Sequence, residues 1–218
     1  MVNKAEYLKN PCGESSIPYW KTKVISVPAG MKILHETEFD KLKFHETDSH
    51  EAEASQFVDE PYFRLSHDLK TIAKPLLPQG YSLCDAVPND FAEHINRCYD
   101  GICISEAELQ NYLNRPTYAS SLWLAVRDNK TGDIAATGIA ELDREIGEGI
   151  LEWIQVSEHH RRFGLGSYLV CELLWRMKDI ARFATVSGQC NNPANPEGLY
   201  RKCGFTGNDV WHILRKKG

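Results

Sequence analysis

Polar and apolar positions change period several times along this chain, and the changes mark out its elements. The run GILEWIQV at 149–156 has the short, largely apolar character of a strand, and the polar stretch SEHHRRFGLG follows it. Leu165, Leu169, Leu173, Met177 and Ile180 then recur at helical spacing, which predicts a helix over about residues 165–183, with Glu172 and Arg176 placed to pair at i,i+4. A strand at 184–190 (ATVSGQC), a short helix at 196–203 (PEGLYRKC) and a strand at 209–216 (DVWHILRK) follow.

Upstream, YSLCDAV at 81–87 reads as a strand, and 88–102 and 105–115 read as helices with acid-containing first turns, which suit the positive end of a helix. Residues 121–143 read as a hairpin around a turn at Asn129–Asp133, rich in residues that tolerate positive φ. Before Gly80 the texture differs. Residues 22–36 suggest two short strands joined by a Pro/Gly turn, while 45–61 is acidic and weakly periodic, as a surface helix or loop would be. The prolines of KPLLPQG place a boundary between a segment 1–78 of unassigned role and a domain at 79–218 of the α/β (α+β) class.

Composition narrows the function. Across 218 residues the net charge is -5 and the pI about 5.9, without the basic stripe that neutralises phosphates, so nucleic acid is not an expected partner. The start has no apolar leader core and no later run approaches the ~20 apolar residues that span a bilayer, so no membrane partner and a cytoplasmic address are expected. Seven scattered cysteines without a CxxC pair argue against a disulfide framework or a metal site. Cys171, inside the helical pattern, reads as a small buried hydrophobe. His159 and His160, being adjacent, cannot readily grip one ion and read as solvated.

The candidate chemistry begins at Gly164 and Gly166, directly before the long helix. A strand entering a glycine turn and then a helix aims unpaired backbone N–H groups and the positive end of the helix dipole at one point, a place for an anion. Glycines there let the backbone approach a bulky phosphate, and Arg161 or Arg162 adds full positive charge. The pattern lacks the GxGxxG of dinucleotide binders and the GxxxxGK[ST] of P-loops.

LEWIQVSEHHRRFGLGSYLVCELL, followed by NPEGLYRKCGF, resembles the GNAT superfamily of acyl-CoA N-acetyltransferases over about Gly80 to Lys217. The resemblance implies the GNAT fold, a central mixed, mostly antiparallel sheet flanked by helices, here with an N-terminal extension. It also implies acetyl-CoA as acyl donor, its pyrophosphate held at Val156, Arg161, Arg162, Gly164, Gly166 and Ser167. LYxKxGF is matched by Leu199, Tyr200, Lys202, Gly204 and Phe205, and the family's tyrosine commonly protonates the departing thiolate, a role that falls on Tyr200. Where the family usually has an asparagine, seven residues before the tyrosine, Pro193 stands here, flanked by Asn192 and Asn195. Either asparagine is a candidate contact to coenzyme A, and Asn195 with Pro196 is also a good N-cap and N1 pair.

An amine acceptor adds a proton to manage, because exposing the lone pair of an amine of pKa near 10.4 at pH 7 costs about 4.6 kcal/mol. Glu152 lies four residues before Val156, where several similar acetyltransferases carry an active-site glutamate, and the resemblance makes it the expected base, directly or through water. Because this strand in the family splays from its neighbour and leaves amides free, the resemblance makes backbone N–H groups near Ile154 to Val156 the expected oxyanion partners. The function expected is acetyl transfer from acetyl-CoA to a primary amine, small-molecule or peptide, by direct ternary-complex attack, and the alternative is a non-catalytic acyl-CoA-binding sensor or interaction module. Asp85, Asp90, Asp100, Glu106 and Glu108 lie in the first strand and helices, which border the acceptor side in the family, and so lean the acceptor toward a cationic amine. The roles left for residues 1–78 are covering the acceptor side or self-association as a homodimer.

Overall fold

The computed structural model describes residues 4–13, 31–44 and 56–217. In chain order its elements are α1 (Lys4–Lys9), β1 (Met31–His35), α2 (Glu36–Phe44), β2 (Phe57–His67), β3 (Tyr81–Cys84), α3 (Pro88–Cys98), α4 (Glu106–Tyr112), β4 (Trp123–Asp128), β5 (Ile134–Asp143), β6 (Glu148–Val156), α5 (Leu165–Met177), β7 (Phe183–Gln189), α6 (Pro196–Lys202) and β8 (Thr206–Lys216). By internal contacts the chain forms two units. One comprises Met1–Ser66, Thr185–Gly198 and Phe205–Gly218, and the other His67–Ala184 with Leu199–Gly204. This division follows the pairing of distant strands and runs along a different line from the proline-marked boundary near residue 78.

In the first unit the strands lie in the order β1-β8-β2-β7. β8 pairs antiparallel with β1 on one side and β2 on the other. Residues 57–61, expected to close an acidic surface segment, are therefore the start of a strand that runs to His67. Its Pro61, Asp59 and Glu60 disguise it, since proline is rare inside sheets and acids are poor strand formers, but Glu60 meets Arg215 and Asp59 meets His212 across the β2–β8 pair. Arg64, 2% exposed, donates to Pro11 O, Ser187 Oγ, Tyr7 Oη and Thr185 Oγ1, which fastens α1 and the turn after it to this sheet. Of the two strands expected at 22–36, the second is β1, and the first lies outside the described residues, as does 45–55.

In the second unit the order is β6-β5-β4-β3, every neighbour antiparallel. Two layers cover it. α3 and α4 bury Phe91, Ala92, Ile95 and Leu109 against Ala125 and Ile139 of the sheet, with Tyr99, Tyr112, Trp123 and Trp153 packed around them. On the other face Gly138 meets Leu169 and Leu173 of α5. Leu165, Leu169, Leu173 and Met177 are all at most 1% exposed, each burial contributing roughly 1.5–3 kcal/mol. The expected Glu172–Arg176 pair forms at 2.8 Å.

α5 stops at Met177, short of the expected 183, and Ile180 is half exposed. The turn that follows carries Ile180 off the buried stripe, its N–H donating back to Met177 O. Asp90 and Glu108, two of the acids expected to border an acceptor, are helix caps instead: Asp90 accepts the Val87 N–H at 2.8 Å and Glu108 the Ser105 N–H at 2.7 Å. Among the described residues no helix is long and apolar enough to cross a membrane.

Candidate active site

The β5–β6 register decides where the site's groups point. Ser157 N–H donates to Ala135 O, so on β6 residues 153, 155 and 157 bond to β5, and the N–H groups of Ile154 and Val156 point away from it. These are the two amides expected as oxyanion partners. The carbonyl of Ile154 points the same way and accepts the Tyr99 hydroxyl at 3.1 Å.

The same register contains an irregularity: Ile139 faces Trp153 and Ala140 faces Leu151, leaving Glu152 as the extra residue of a bulge. A bulge re-aims a side chain and unpairs it from the strand's alternation. Glu152 is half-buried, and its charge is felt by two phenols, Tyr112 and Tyr200. Tyr200, on α6, is 7% exposed. Burial first, then Tyr99, Cys203 and Glu152 nearby, push its phenol well above the ordinary value of 10, so it stays protonated throughout the neutral range. Tyr99, beside Trp153, is pushed up to about 12, chiefly by burial. The predicted base and acid are thus brought to one neighbourhood in a single unit.

The loop between β6 and α5 enters the helix through two left-handed residues. Arg162 has φ 71, a left-handed value that costs a residue with a Cβ about 1 kcal/mol or more, and Gly164 has φ 85. Gly164 is the N-cap of α5 and supplies no side-chain acceptor, and the helix has no acid in its first turn. No cap and no carboxylate of the first turn therefore answers its leading N–H groups or its dipole. A Cβ at Gly164 would lie in nearly open space, 3.7 Å from Pro78, so the backbone angle is what demands glycine there. Gly166 is different: a Cβ would come within 3.3 Å of Leu199 and 3.7 Å of Val156, so its smallness also lets α6 close against α5. Arg161 and Arg162 are exposed, Arg161 Nε lying 3.4 Å from Val156 O.

Other predicted residues have local employment. Ser167, one residue past Gly166, lies in the first turn of α5. Asn195 Oδ1 accepts the Gly198 N–H at 3.0 Å, the helix cap expected of it, and Asn192 Oδ1 accepts the Ala194 N–H at 2.9 Å. Both asparagines belong to the first unit. Burial raises the Cys190 thiol above its ordinary value, which disfavours it as a nucleophile. His160 is not solvated as expected. It lies 3.2 Å from Asp128 and edge-on to Tyr81, tying the loop to the β4–β5 hairpin, because the short 3-10 turn at Glu158–His160 folds it back. Among the described residues no group of His, Cys, Asp and Glu is arranged to hold a metal ion.

Sequence reasoning missed His94. It is 1% exposed on α3, with Nδ1 2.9 Å from Thr137 Oγ1 and Nε2 3.0 Å from Ser157 Oγ, where the loop begins. Burial, with Arg97 next, lowers its pKa to about 4. A helical histidine between Glu93 and Ile95 gives no sequence signal for partners 43 and 63 residues away.

Comparison with known proteins agrees with the geometry. Residues 119–207 match the family model of the acetyltransferase (GNAT) domain. What is similar to that domain is this stretch, about two fifths of the 218 residues. The chain's fold is similar to that of a GCN5-related N-acetyltransferase from Sphaerobacter thermophilus, with TM-score 0.67, 17% identity, and coverage of 87% of this chain and 61% of that one. A Drosophila protein gives TM-score 0.62 at 16% identity, covering 84% and 58%. A GNAT-family acetyltransferase from Colwellia psychrerythraea gives 0.58 at 16%, covering 86% and 64%. The chain spans about three fifths of the length of these structures. The shares of this chain that align exceed what residues 80–217 alone provide, so the likeness of fold reaches into the N-terminal segment. No curated protein matches the sequence.

Proposed function

We propose that this protein transfers the acetyl group of acetyl-CoA to a primary amine by direct attack within a ternary complex. The observation that carries the reading is the start of α5: an N-terminus of a 13-residue helix without cap or first-turn acid, reached through left-handed Arg162 and Gly164. A diphosphate answers that arrangement, because its oxygens accept the exposed N–H groups and its charge meets the dipole. Arg161 and Arg162 supply further positive charge at the loop, and Gly166 and Ser167 belong to the same first turn.

From that anchor the pantetheine arm runs along β6, whose Ile154 and Val156 N–H groups point away from β5. Glu152 takes the ammonium proton, directly or through water, and the amine attacks the thioester carbonyl. Negative charge grows on the carbonyl oxygen, and the β6 amides stabilise it. As the tetrahedral intermediate collapses, the C–S bond breaks, Tyr200 gives its phenolic proton to the departing thiolate, and the nitrogen sheds its second proton to restore the phenol. The raised pKa of Tyr200 supports this assignment, since a general acid must carry its proton at working pH. The acceptor is a small-molecule or peptide amine.

Acetyl-CoA titrated into the protein, followed by a panel of amines with free-thiol release as readout, tests the proposal. Binding followed by amine-dependent thiol release is the expected result. Binding with no release from any amine indicates an acyl-CoA-binding module instead.

A further inference from the structure

A directed chain of side-chain hydrogen bonds runs through the second unit and meets β6 twice. Thr137 on β5 faces Gln155 on β6 in the strand register, and the Gln155 side-chain amide donates to Thr137 Oγ1. The Thr137 hydroxyl donates in turn to His94 Nδ1 at 2.9 Å, and His94 Nε2 donates to Ser157 Oγ at 3.0 Å. The chain ends where the Ser157 hydroxyl donates to Ala135 O at 2.9 Å, a carbonyl that also accepts the Ser157 N–H. Every hydrogen points the same way along it, an order in which each bond strengthens the next. Thr137, His94 and Gln155 are none of them more than 4% exposed, so water does not replace a lost partner.

The two β6 residues held in this way, Gln155 and Ser157, are the neighbours of Val156. Alternation along the strand turns Val156 to the opposite face, where its side chain lies 3.7 Å from the place that a Cβ on Gly166 would take. Its carbonyl accepts from Arg161 Nε at 3.4 Å. The hydrogen-bond chain centred on α3 is thus linked through a single residue to the loop and the first turn of α5 on the other side of the sheet. Gln155 Oε1 has no hydrogen-bond partner among the described residues, a buried unmet acceptor that costs about 1–3 kcal/mol. Costs of that kind gather at functional sites.

We propose that His94 is a positioning residue for the acyl-CoA site: it holds Gln155 and Ser157 against β5, and so sets the direction of Val156 and the entry of the loop that follows. The consequence for acetyl-CoA rests on the acetyl-transfer reading above, in which that loop holds the diphosphate and the Val156 N–H faces the thioester. His94 touches no reacting atom. It acts on where the donor sits, and a displacement of about an ångström at such a site is worth up to about 100-fold in rate.

The test compares the full-length chain with Ser157→Ala, which removes the last link, with Ser157→Thr, which keeps the hydroxyl, and with His94→Phe. Rates at varied acetyl-CoA and at varied amine, with calorimetric titration of acetyl-CoA, are the readouts. Ser157→Ala is expected to raise the KM and Kd for acetyl-CoA about tenfold, with kcat and the amine's KM within about threefold, and Ser157→Thr to behave as the unmodified chain. Simple loss of folded protein does the reverse, lowering the apparent kcat and leaving KM alone. His94→Phe is expected to match Ser157→Ala, and the double variant to stay at about tenfold, because two links of one chain are not additive. Unchanged acetyl-CoA affinity in Ser157→Ala, an equal defect in Ser157→Thr, or a double variant at about 100-fold overturns the proposal. If His94→Phe does not fold, the two Ser157 variants decide. Hydrogen exchange of the peptide 157–164, read without ligand, separates this proposal from the catalytic reading. Faster exchange in Ser157→Ala than in Ser157→Thr, with no form binding acetyl-CoA, contradicts the acetyl-transfer reading and leaves the positioning of the loop standing, whereas equal exchange in every form overturns the positioning itself.

Discussion

His94 Nε2 and Ser157 Oγ lie 3.0 Å apart, joining α3 to the residue at which β6 gives way to the loop before α5. The Ser157 hydroxyl gives its hydrogen to Ala135 O at 2.9 Å, so His94 donates from Nε2 and its Nδ1 accepts from Thr137. The imidazole is therefore neutral with both nitrogens engaged. Protonating it places a second donor against Thr137 in a buried site.

This arrangement sets a pH dependence. His94 titrates near 4 in the folded chain and near 6.5 when unfolded, so between those values the unfolded state binds a proton that the folded state refuses. Stability from this group is complete above about pH 6.5, declines as pH falls toward 4, and changes no further below, a loss of up to about 3 kcal/mol. Urea unfolding from pH 7 to 4.5 is expected to show this slope, and His94→Gln to flatten it. An identical slope in the variant contradicts the assignment.

Tyr200→Phe removes the proposed acid and nothing else of the side chain's shape. Turnover is expected to fall about 100-fold while acetyl-CoA affinity stays within a few-fold. Acceptors tested in parallel guard against a single slow substrate, and an unchanged rate with all of them removes Tyr200 from the chemistry.

Glu152→Gln is expected to act through the acceptor's proton. At pH 7 an amine of ordinary pKa is almost wholly protonated, and losing the base should lower kcat/KM about 100-fold. Above the amine's own pKa the lone pair is already free, so the deficit should shrink as pH rises. It should also be smaller for acceptors of low pKa. A deficit independent of both pH and amine assigns Glu152 to structure.

Arg115 and Glu141 form a buried pair at 2.9 Å, the carboxylate side chain 2% exposed and its second oxygen without a hydrogen-bond partner among the described residues. Arg115 also covers the face of Tyr112. Arg115→Ala leaves a carboxylate stranded and is expected to cost about 3–5 kcal/mol, read from the denaturant midpoint. Arg115→Met with Glu141→Leu should recover most of it. A single variant as stable as the parent contradicts the pair's structural role.

Features carried by one element were legible in the sequence: the buried stripe of α5, the turn at Asn129–Asp133, the Asn195 cap and the glycines at the helix mouth. Features made by two elements were not. Nothing in LEWIQV announces that Glu152 is a bulge, because a bulge is a mismatch of register with β5. The strand at 57–67 hides its character until β8, some 150 residues later, supplies Arg215 and His212 to its acids. Local pattern also overran at Ile180, where spacing continued after the backbone had turned.

The most direct test of the account is calorimetric titration of the unmodified protein with acetyl-CoA and, separately, with S-acetylpantetheine, which lacks the diphosphate. If the start of α5 holds that diphosphate, acetyl-CoA binds and the truncated thioester binds at least about 100-fold more weakly. Equal affinities, or no heat from acetyl-CoA at millimolar concentration, contradict it.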